Sequence, residues 1–283
     1  MVHRRCGCRA PARMRLVAAC CATAVPALLG LAAGMAAAQD FDPIVPPALL
    51  GGAATLLDRG LPDPAAAWSV ESGITRWFGL EALATRQIAV CGGWHGVRAA
   101  FGVSQTGEPE LGWTALGAAA GGTSHAAGAA LRVVARRDRA SPGLPGPPGP
   151  GAGYECGGGA WARAAPWLEL HAAAPQIVCL AEAPPLARGL ELGATARSSQ
   201  SRAWLAVRSA PRGEAAPPDH EAGLALDLGA CRAWALARDR PLRGGIGIVV
   251  SLRALTVAAA VESHPVLGST TRLGIALRSG PAP

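Results

Sequence analysis

The sequence contains neither lysine nor asparagine, and all 26 of its basic residues are arginine. Tyrosine occurs once and phenylalanine three times, whereas alanine, glycine, proline and arginine are used heavily. A very GC-rich genome encodes such a composition, so most of it carries no functional information. The sequence also lacks the GxSxG, HExxH and GxGxxG patterns, a Walker loop and an EF-hand loop. Because these motifs are missing, we expect no enzymatic activity, no cofactor and no bound metal.

The net charge of +7 is unevenly distributed along the chain. Five arginines precede residue 16, and all 19 acidic residues follow it. The rest of the chain therefore has 21 arginines against 19 acidic residues, a net charge of +2. A nucleic-acid-binding protein needs a concentrated basic surface. No nucleic-acid partner is expected.

Residues 1–38 have the pattern of a secretory signal peptide. An arginine-rich start leads into an apolar stretch, Leu16–Met35, and Ala36–Ala38 provide a small-residue cleavage site. The alternative is an uncleaved membrane helix, because Leu16–Ala38 is long enough to cross a bilayer. Pro26 and several glycines in this stretch favour cleavage. We therefore predict an exported protein that begins near residue 39.

Four cysteines remain after the predicted leader: Cys91, Cys156, Cys179 and Cys231. In an oxidising compartment they could form disulfides in three alternative pairings, and the sequence does not choose among these. They include no CxxC pair, so a zinc site is not expected.

From Thr85 onward the chain repeats the periodicity of β-strands. Large apolar side chains alternate with small or charged ones over about eight to eleven residues, and short breaks rich in Gly, Pro or Ser follow. A strand before Thr85 would raise the number of predicted strands from thirteen to fourteen. The thirteen are 85–94, 96–105, 111–121, 124–136, 154–163, 167–174, 187–197, 201–208, 220–228, 231–237, 244–252, 254–263 and 270–278.

Three segments lack clean alternation. Residues 39–84 are predicted to form an irregular N-terminal segment with one short helix. Residues 137–153 and 209–219 are rich in proline and glycine and are predicted to be long loops.

Alternation occurs both in a transmembrane barrel and in a soluble β-sandwich. The longer segments have the 9–11 residues that a membrane-spanning strand needs. The alternate positions without large apolar side chains, which we call the polar parity, carry charged residues, Gly and Ala, as in a barrel lumen. Several of the eight tryptophans lie near segment ends, where barrels carry aromatic girdles: Trp94, Trp113, Trp161, Trp167, Trp204 and Trp234. A transmembrane barrel is favoured, and a secreted soluble β-sandwich binding protein is the alternative.

Two stretches carry a family resemblance. "VESHPVLGSTTRLGIAL" (residues 261–277) resembles the last hairpin of the PorV/PorQ-like outer-membrane barrels, which are related in fold to the FadL-like transporters. "DPAAAWSVESGI" (residues 63–74) resembles a second segment of that family, with Val70, Glu71 and Ser72 in place of its Asn-Pro-Ala core. Residues 51–60, "GGAATLLDRG", resemble the family's Gly-Gly-Ala-Phe entry. The residues that match in the hairpin turn are Ser263, His264, Pro265, Leu267 and Gly268, followed by Thr270 and Arg272.

The resemblance implies an all-β antiparallel transmembrane barrel of about 12–14 strands in the bacterial outer membrane. Residues 39–84 would partly fill the lumen, and residues 85–283 would form the rest of the barrel. It also implies a non-enzymatic role, either as an accessory or anchoring part of protein secretion or in passive transport of a hydrophobic or amphipathic solute. The expected partners are outer-membrane lipid and secretion-machinery or secreted proteins.

The polar parity predicts a set of lumen-facing charges, because an arginine facing lipid near the bilayer midplane costs about 2–4 kcal/mol. Their structural role would be a network of salt bridges across the lumen. Their functional role would be a selective lining for an anionic or amphipathic solute. The set is Arg98, Arg132, Arg136, Glu169, Glu191, Arg197, Asp227, Glu262, Arg272 and Arg278. The His264-Pro265 pair is expected to shape a loop, since proline fixes φ and removes a donor.

Overall fold

The computed structural model describes residues 41, 43, 52–62, 68–108, 111–140, 152–181, 189–209, 217–240 and 242–279. Over these residues the protein is all-β apart from one two-turn helix and two 3-10 turns. None of the helices in the described ranges is long and apolar enough to cross a membrane. The predicted signal peptide, residues 1–38, lies outside the described residues.

The described residues form one α-helix, α1 (Gly52–Arg59), followed by fourteen strands. The strands are β1 (Trp68–Arg76), β2 (Thr85–Trp94), β3 (Val97–Gly107), β4 (Leu111–Thr123), β5 (Ala127–Ala140), β6 (Ala152–Ala165), β7 (Leu168–Ala181), β8 (Glu191–Arg197), β9 (Ser201–Arg208), β10 (Asp219–Leu228), β11 (Cys231–Asp239), β12 (Leu242–Leu252), β13 (Leu255–His264) and β14 (Gly268–Arg278).

The sheet closes on itself. Each strand pairs antiparallel with its sequence neighbour, and β1 pairs antiparallel with β14. Gly73 lies opposite Gly274 at the centre of this closing pair. A closed sheet leaves no unpaired edge, which is the condition for placing strands in lipid. The predicted fold class, an antiparallel barrel of 12–14 strands, is confirmed.

Alternation along each strand separates two chemically different faces. The outward parity carries large exposed apolar side chains, such as Val90 on β2, Leu226 on β10 and Ile275 on β14. The inward parity carries buried small, polar and charged side chains, such as Ser104, Thr195 and Glu221. An apolar outer band around a polar interior is the pattern of a transmembrane barrel, since a soluble barrel or sandwich buries its apolar face.

The two ends of the barrel differ. At one end, which we call the turn end, six connections of two or three residues join successive strands. At the opposite end, the loop end, four of the seven connections are eight to eleven residues long. Outer-membrane barrels have short periplasmic turns and longer extracellular loops. In an outer-membrane barrel the turn end would correspond to the periplasmic side; β1 starts at this end.

The tryptophans divide into two groups. Trp94 and Trp167 are 77% and 59% exposed beside turns of the turn end, together with the half-exposed Trp68. They form the aromatic girdle expected at a membrane interface. Trp161 and Trp204 are buried inside the barrel instead, as is Trp234. For these three the predicted girdle position is wrong, because they lie on the inward parity of their strands.

Several predicted boundaries need correction. The loop predicted at 137–153 is shorter, since β5 continues to Ala140 and β6 starts at Ala152, and the strand predicted from residue 187 starts at Glu191. The first strand begins at Trp68, within the segment predicted to be irregular. The strand was not predicted because the polar Ser72 and Arg76 occupy positions where an apolar side chain would complete the alternation. The strand predicted to end at residue 174 continues as β7 to Ala181. Pro175 cannot donate to the sheet, and the register shifts between β6 and β7 opposite this position.

Helix α1 lies inside the barrel against the wall formed by β1–β7. Leu56 and Leu57 pack with Phe41 against inward-facing alanines and Val134. At Gly102 the missing side chain makes this approach possible, since a Cβ there would lie 2.7 Å from both Leu57 Cδ1 and Phe41 Cε1. The helix is thereby held to one half of the lumen.

Candidate functional site: the charged interior

All ten charges predicted to face the lumen lie on the inward parity of their strands. Seven of them are buried and three are half-buried. The buried ones are Arg98, Arg132, Arg136, Glu169, Glu191, Glu262 and Arg272; the half-buried ones are Arg197, Asp227 and Arg278. Eight of them belong to three groups of ion pairs, and Arg278 pairs separately with Glu71 at 3.4 Å.

The first group lies beneath helix α1 and contains Arg132, Arg136 and Glu155. One carboxylate serves both arginines: Arg132 contacts Glu155 Oε1, and Arg136 Nη2 lies 2.8 Å from Glu155 Oε2. Gln176 Nε2 also donates to Glu155 Oε2 at 2.7 Å. Arg132 Nε donates to the carbonyl of Leu57 in the helix at 2.6 Å. The side chains of Arg132 and Glu155 are 0% and 1% exposed, so this group joins wall and helix without contacting water.

The second group, which we call the charge ladder, starts at the last residue of helix α1 and continues along the wall opposite the helix. Its members alternate in sign and are Arg59, Glu191, Arg208, Glu221, Arg238, Glu262 and Arg272. Arg208 Nη2 and Arg238 Nε share Glu221 Oε2 at 2.9 and 2.7 Å. Glu262 then accepts from Arg238 at 3.1 Å and from Arg272 at 3.0 Å.

The ladder exposes its two signs unequally. The carboxylates of Glu191, Glu221 and Glu262 are buried, whereas Arg208 and Arg238 retain more exposed side-chain surface. Trp204 covers Glu221 further by donating its Nε1 hydrogen to Oε1 at 2.9 Å. The surface of this wall is consequently formed more by guanidinium groups than by carboxylates.

The third group lies near the turn end. Glu169 lies 3.6 Å from Arg197 and 3.9 Å from Arg163. Asp227 contacts Arg232 and lies 3.7 Å from Arg202. Four arginines thus share two carboxylates where the lumen opens toward the turn end.

Helix α1 is fastened at both termini by charged side chains of the wall. At its start, Glu71 Oε1 and Oε2 accept from the backbone N–H groups of Ala53 and Ala54 at 2.9 and 3.2 Å. A carboxylate here satisfies orphan donors and complements the helix dipole. Gly52 makes room for it, because a Cβ at Gly52 would overlap Glu71 Oε1. At its end, Arg59 pairs with Glu191, which links the helix to the charge ladder.

The family-like turn Ser263-His264-Pro265-Val266-Leu267-Gly268 joins β13 to β14 at the loop end. His264 Nδ1 accepts from the backbone N–H groups of Val266 and Leu267 at 3.2 and 3.1 Å. Its ring also contacts Phe78 edge-on, with 5.7 Å between centroids. The histidine therefore shapes the turn and holds it against the β1–β2 connection.

We expect His264→Ala to destabilise the folded barrel by no more than about 1 kcal/mol, since two partly exposed hydrogen bonds are lost. Insertion and any transport activity should not change. Urea unfolding of the purified protein checks this prediction, and a loss of transport activity with the fold intact would contradict the structural role.

Several interior charges were not in the predicted set. Glu221 lies within the predicted strand 220–228 and shares the parity of the predicted Asp227, so applying the alternation to the whole strand would have found it. Arg208 and Arg238 lie at strand ends, next to proline-rich or charged connections. Glu155 lies in a Gly- and Ala-rich strand with no large apolar parity to indicate its face.

No cluster suited to a metal ion occurs among the described His, Cys, Asp and Glu side chains. Of the predicted disulfide candidates, Cys156 and Cys231 are free thiols in the described part of the chain. Both are half-buried on strands that are not neighbours.

No protein-family model and no curated protein matches the sequence. Solved structures do resemble the barrel. Two mutants of Rh. blastica porin align over 75% of this chain and 98% of their own, with 12% and 13% identity and a TM-score of 0.41. A triple mutant of Rhodopseudomonas blastica porin aligns over the same shares, with 12% identity and a TM-score of 0.40.

Proposed function

We propose that the protein is an outer-membrane barrel that allows passive movement of small anionic or amphipathic solutes past the charge ladder. The supporting observation is the arrangement of the interior, in which helix α1 covers the β1–β7 wall and arginines line the opposite wall. The closed sheet and its apolar outer band support a membrane location.

The size of the barrel leaves room beside the helix. Fourteen strands spaced about 4.8 Å apart and tilted by about 40° give a backbone diameter of about 28 Å. Allowing roughly 5 Å of side chain on each side leaves a lumen about 18 Å wide, whereas a helix is about 10–12 Å across. The helix alone does not close such a lumen, and the uncovered part faces the charge ladder.

The charge balance favours anions. Thirteen arginines and nine acidic residues point inward among the described side chains. The arginines are Arg59, Arg98, Arg132, Arg136, Arg163, Arg197, Arg202, Arg208, Arg232, Arg238, Arg243, Arg272 and Arg278; the acids are Asp58, Glu71, Glu155, Glu169, Glu191, Asp219, Glu221, Asp227 and Glu262. A lumen with excess positive charge concentrates anions and repels cations.

The test is the reversal potential of the purified protein in a planar bilayer under a KCl gradient. We expect a potential of the sign that indicates preference for chloride. Neutralising Arg208→Gln and Arg238→Gln together should move it toward zero or toward cation preference. Arg76→Gln is the matched control, because Arg76 is exposed on the outer face, and it should leave the potential unchanged. Cation preference in the unaltered protein would contradict the proposal.

A second candidate function is supported by the fastening of helix α1. A barrel whose interior helix stays in place could serve as an accessory or anchoring part of a secretion system, as the PorV/PorQ-like resemblance implies. Such a protein would insert into bilayers without conducting. A folded, inserted and non-conducting protein would therefore favour this role and exclude passive transport.

A further inference from the structure

A groove of about 750 Å³ lies on the outer wall of the barrel and spans the five neighbouring strands β13, β14, β1, β2 and β3. Its apolar lining faces outward and consists of Ile74, Ile88, Val103, Val257, Leu273 and Ile275. The groove therefore faces the membrane and is separate from the charged interior.

The groove exists because one outward position is small. Ser72 lies beside Ile88 on β2 and beside Ile275 on β14, so a short side chain is flanked by two large ones. Both isoleucines are about half exposed and form the sides of the depression. Its apolar walls suit an acyl chain that lies over Ser72.

A cation lies at one end of the groove. Arg86 faces outward, is exposed, and makes no ion pair with any described residue. It is the second residue of β2 and therefore lies near the loop end, with Gln105 opposite it on β3. An arginine on the lipid face is costly unless it reaches the interface or meets an anion. The loop end corresponds to the outer leaflet, so an anionic headgroup there would lie beside this guanidinium.

We propose that this groove binds one phosphate-bearing lipid of the outer leaflet. An acyl chain lies over Ser72 between Ile88 and Ile275, and the headgroup phosphate pairs with Arg86. The arrangement combines apolar area with one charge-assisted contact, which gives preference for an anionic over a zwitterionic lipid. The inference rests on the barrel lying in a membrane and is independent of whether the lumen conducts.

The experiment is native mass spectrometry of the full-length protein, delipidated in a neutral detergent. Dioleoyl phosphatidic acid and dioleoyl phosphatidylcholine are added at equal concentration, and the protein–lipid adducts are counted. We expect one retained phosphatidic acid, about tenfold preferred over phosphatidylcholine, because the choline ammonium of phosphatidylcholine offsets its phosphate beside Arg86, whereas phosphatidic acid keeps a net negative charge. Each sample is first shown to be folded by a heat-dependent shift on a gel.

Three variants distinguish headgroup from chain binding. Arg86→Gln should abolish the preference for phosphatidic acid, and Ser72→Trp should reduce retention of both lipids by filling the groove. Arg137→Gln, which removes an outward arginine of β5 away from the groove, should change neither result. An unaltered preference in Arg86→Gln, or unaltered retention in Ser72→Trp, would overturn the proposal. A dimeric mass without lipid adducts would also overturn it, because a second copy would then cover the groove.

Discussion

Replacing Glu155 by leucine is expected to destabilise the folded barrel by about 3–5 kcal/mol, the range for removing one partner of a buried ion pair. Glu155 is the carboxylate shared by Arg132 and Arg136 beneath helix α1, and its side chain is 1% exposed. Leucine fills a similar volume but leaves two buried guanidinium groups without that carboxylate. The free energy of unfolding in urea, followed by tryptophan fluorescence, measures the effect.

Glu81→Leu is the matched control for this prediction. Glu81 also pairs with an arginine, Arg76, at 3.4 Å, but its side chain is 78% exposed and it lies in a loop-end connection. Exposed ion pairs contribute little to stability, so the free energy of unfolding should change only slightly. Combining Glu155→Leu with Arg132→Met should restore part of the stability, because one of the uncompensated charges is then removed. Equal effects of Glu155→Leu and Glu81→Leu would contradict the buried character of the group.

Releasing both ends of helix α1 is expected to raise the single-channel conductance about twofold. The variant Arg59→Gln combined with Glu71→Gln removes the charges that fasten the helix while keeping side-chain size. The factor follows from the widths of about 18 Å for the lumen and 10–12 Å for a helix, since the helix covers roughly a third to a half of the cross-section. Planar-bilayer recording of the purified variant measures it.

The control for the helix variant is Arg76→Gln combined with Glu81→Gln, an exposed pair on the outside of the barrel. It should leave conductance unchanged. If the helix variant also shows the conductance of the unaltered protein, helix α1 does not restrict the lumen, and the fastening at Glu71 and Arg59 has only a stabilising role.

The strand pattern was predictable because each strand separates lipid from lumen. Every second side chain must be apolar on the lipid side, so the alternation around Leu255 and Leu273 identifies both strand and face. The same logic placed Arg132 and Glu262 inside the barrel. Neither inference needs knowledge of the neighbouring strands.

The closing strand was harder to predict because its outward parity is mixed. Ser72 and Arg76 are polar although they face outward on β1, so the segment does not alternate cleanly. Pro175 similarly signals a strand end, yet β7 continues past it because the register shift accommodates the missing donor. Both exceptions depend on pairing with neighbouring strands, which the residues of β1 and β7 do not reveal by themselves.

The ion-pair partners could not be predicted from the sequence. Glu191 pairs with Arg59, which is 132 residues away in the chain, and only the position of helix α1 brings them together. Glu221 joins Arg208 and Arg238 because β10 lies between β9 and β11 in a particular register. Parity assigns a side chain to a face, whereas partners depend on register and on what enters the lumen.

The pairing of β1 with β14 closes the barrel, and cysteine crosslinking tests this pairing. Val70 lies opposite Leu277 on β14 and opposite Val90 on β2, and all three face outward. In a background without native cysteines, Val70→Cys with Leu277→Cys should be joined by a short bis-maleimide in intact outer membranes. It should react as completely as the hairpin control, Val70→Cys with Val90→Cys. Crosslinking of the control pair alone would show two free edges and would contradict the closed barrel.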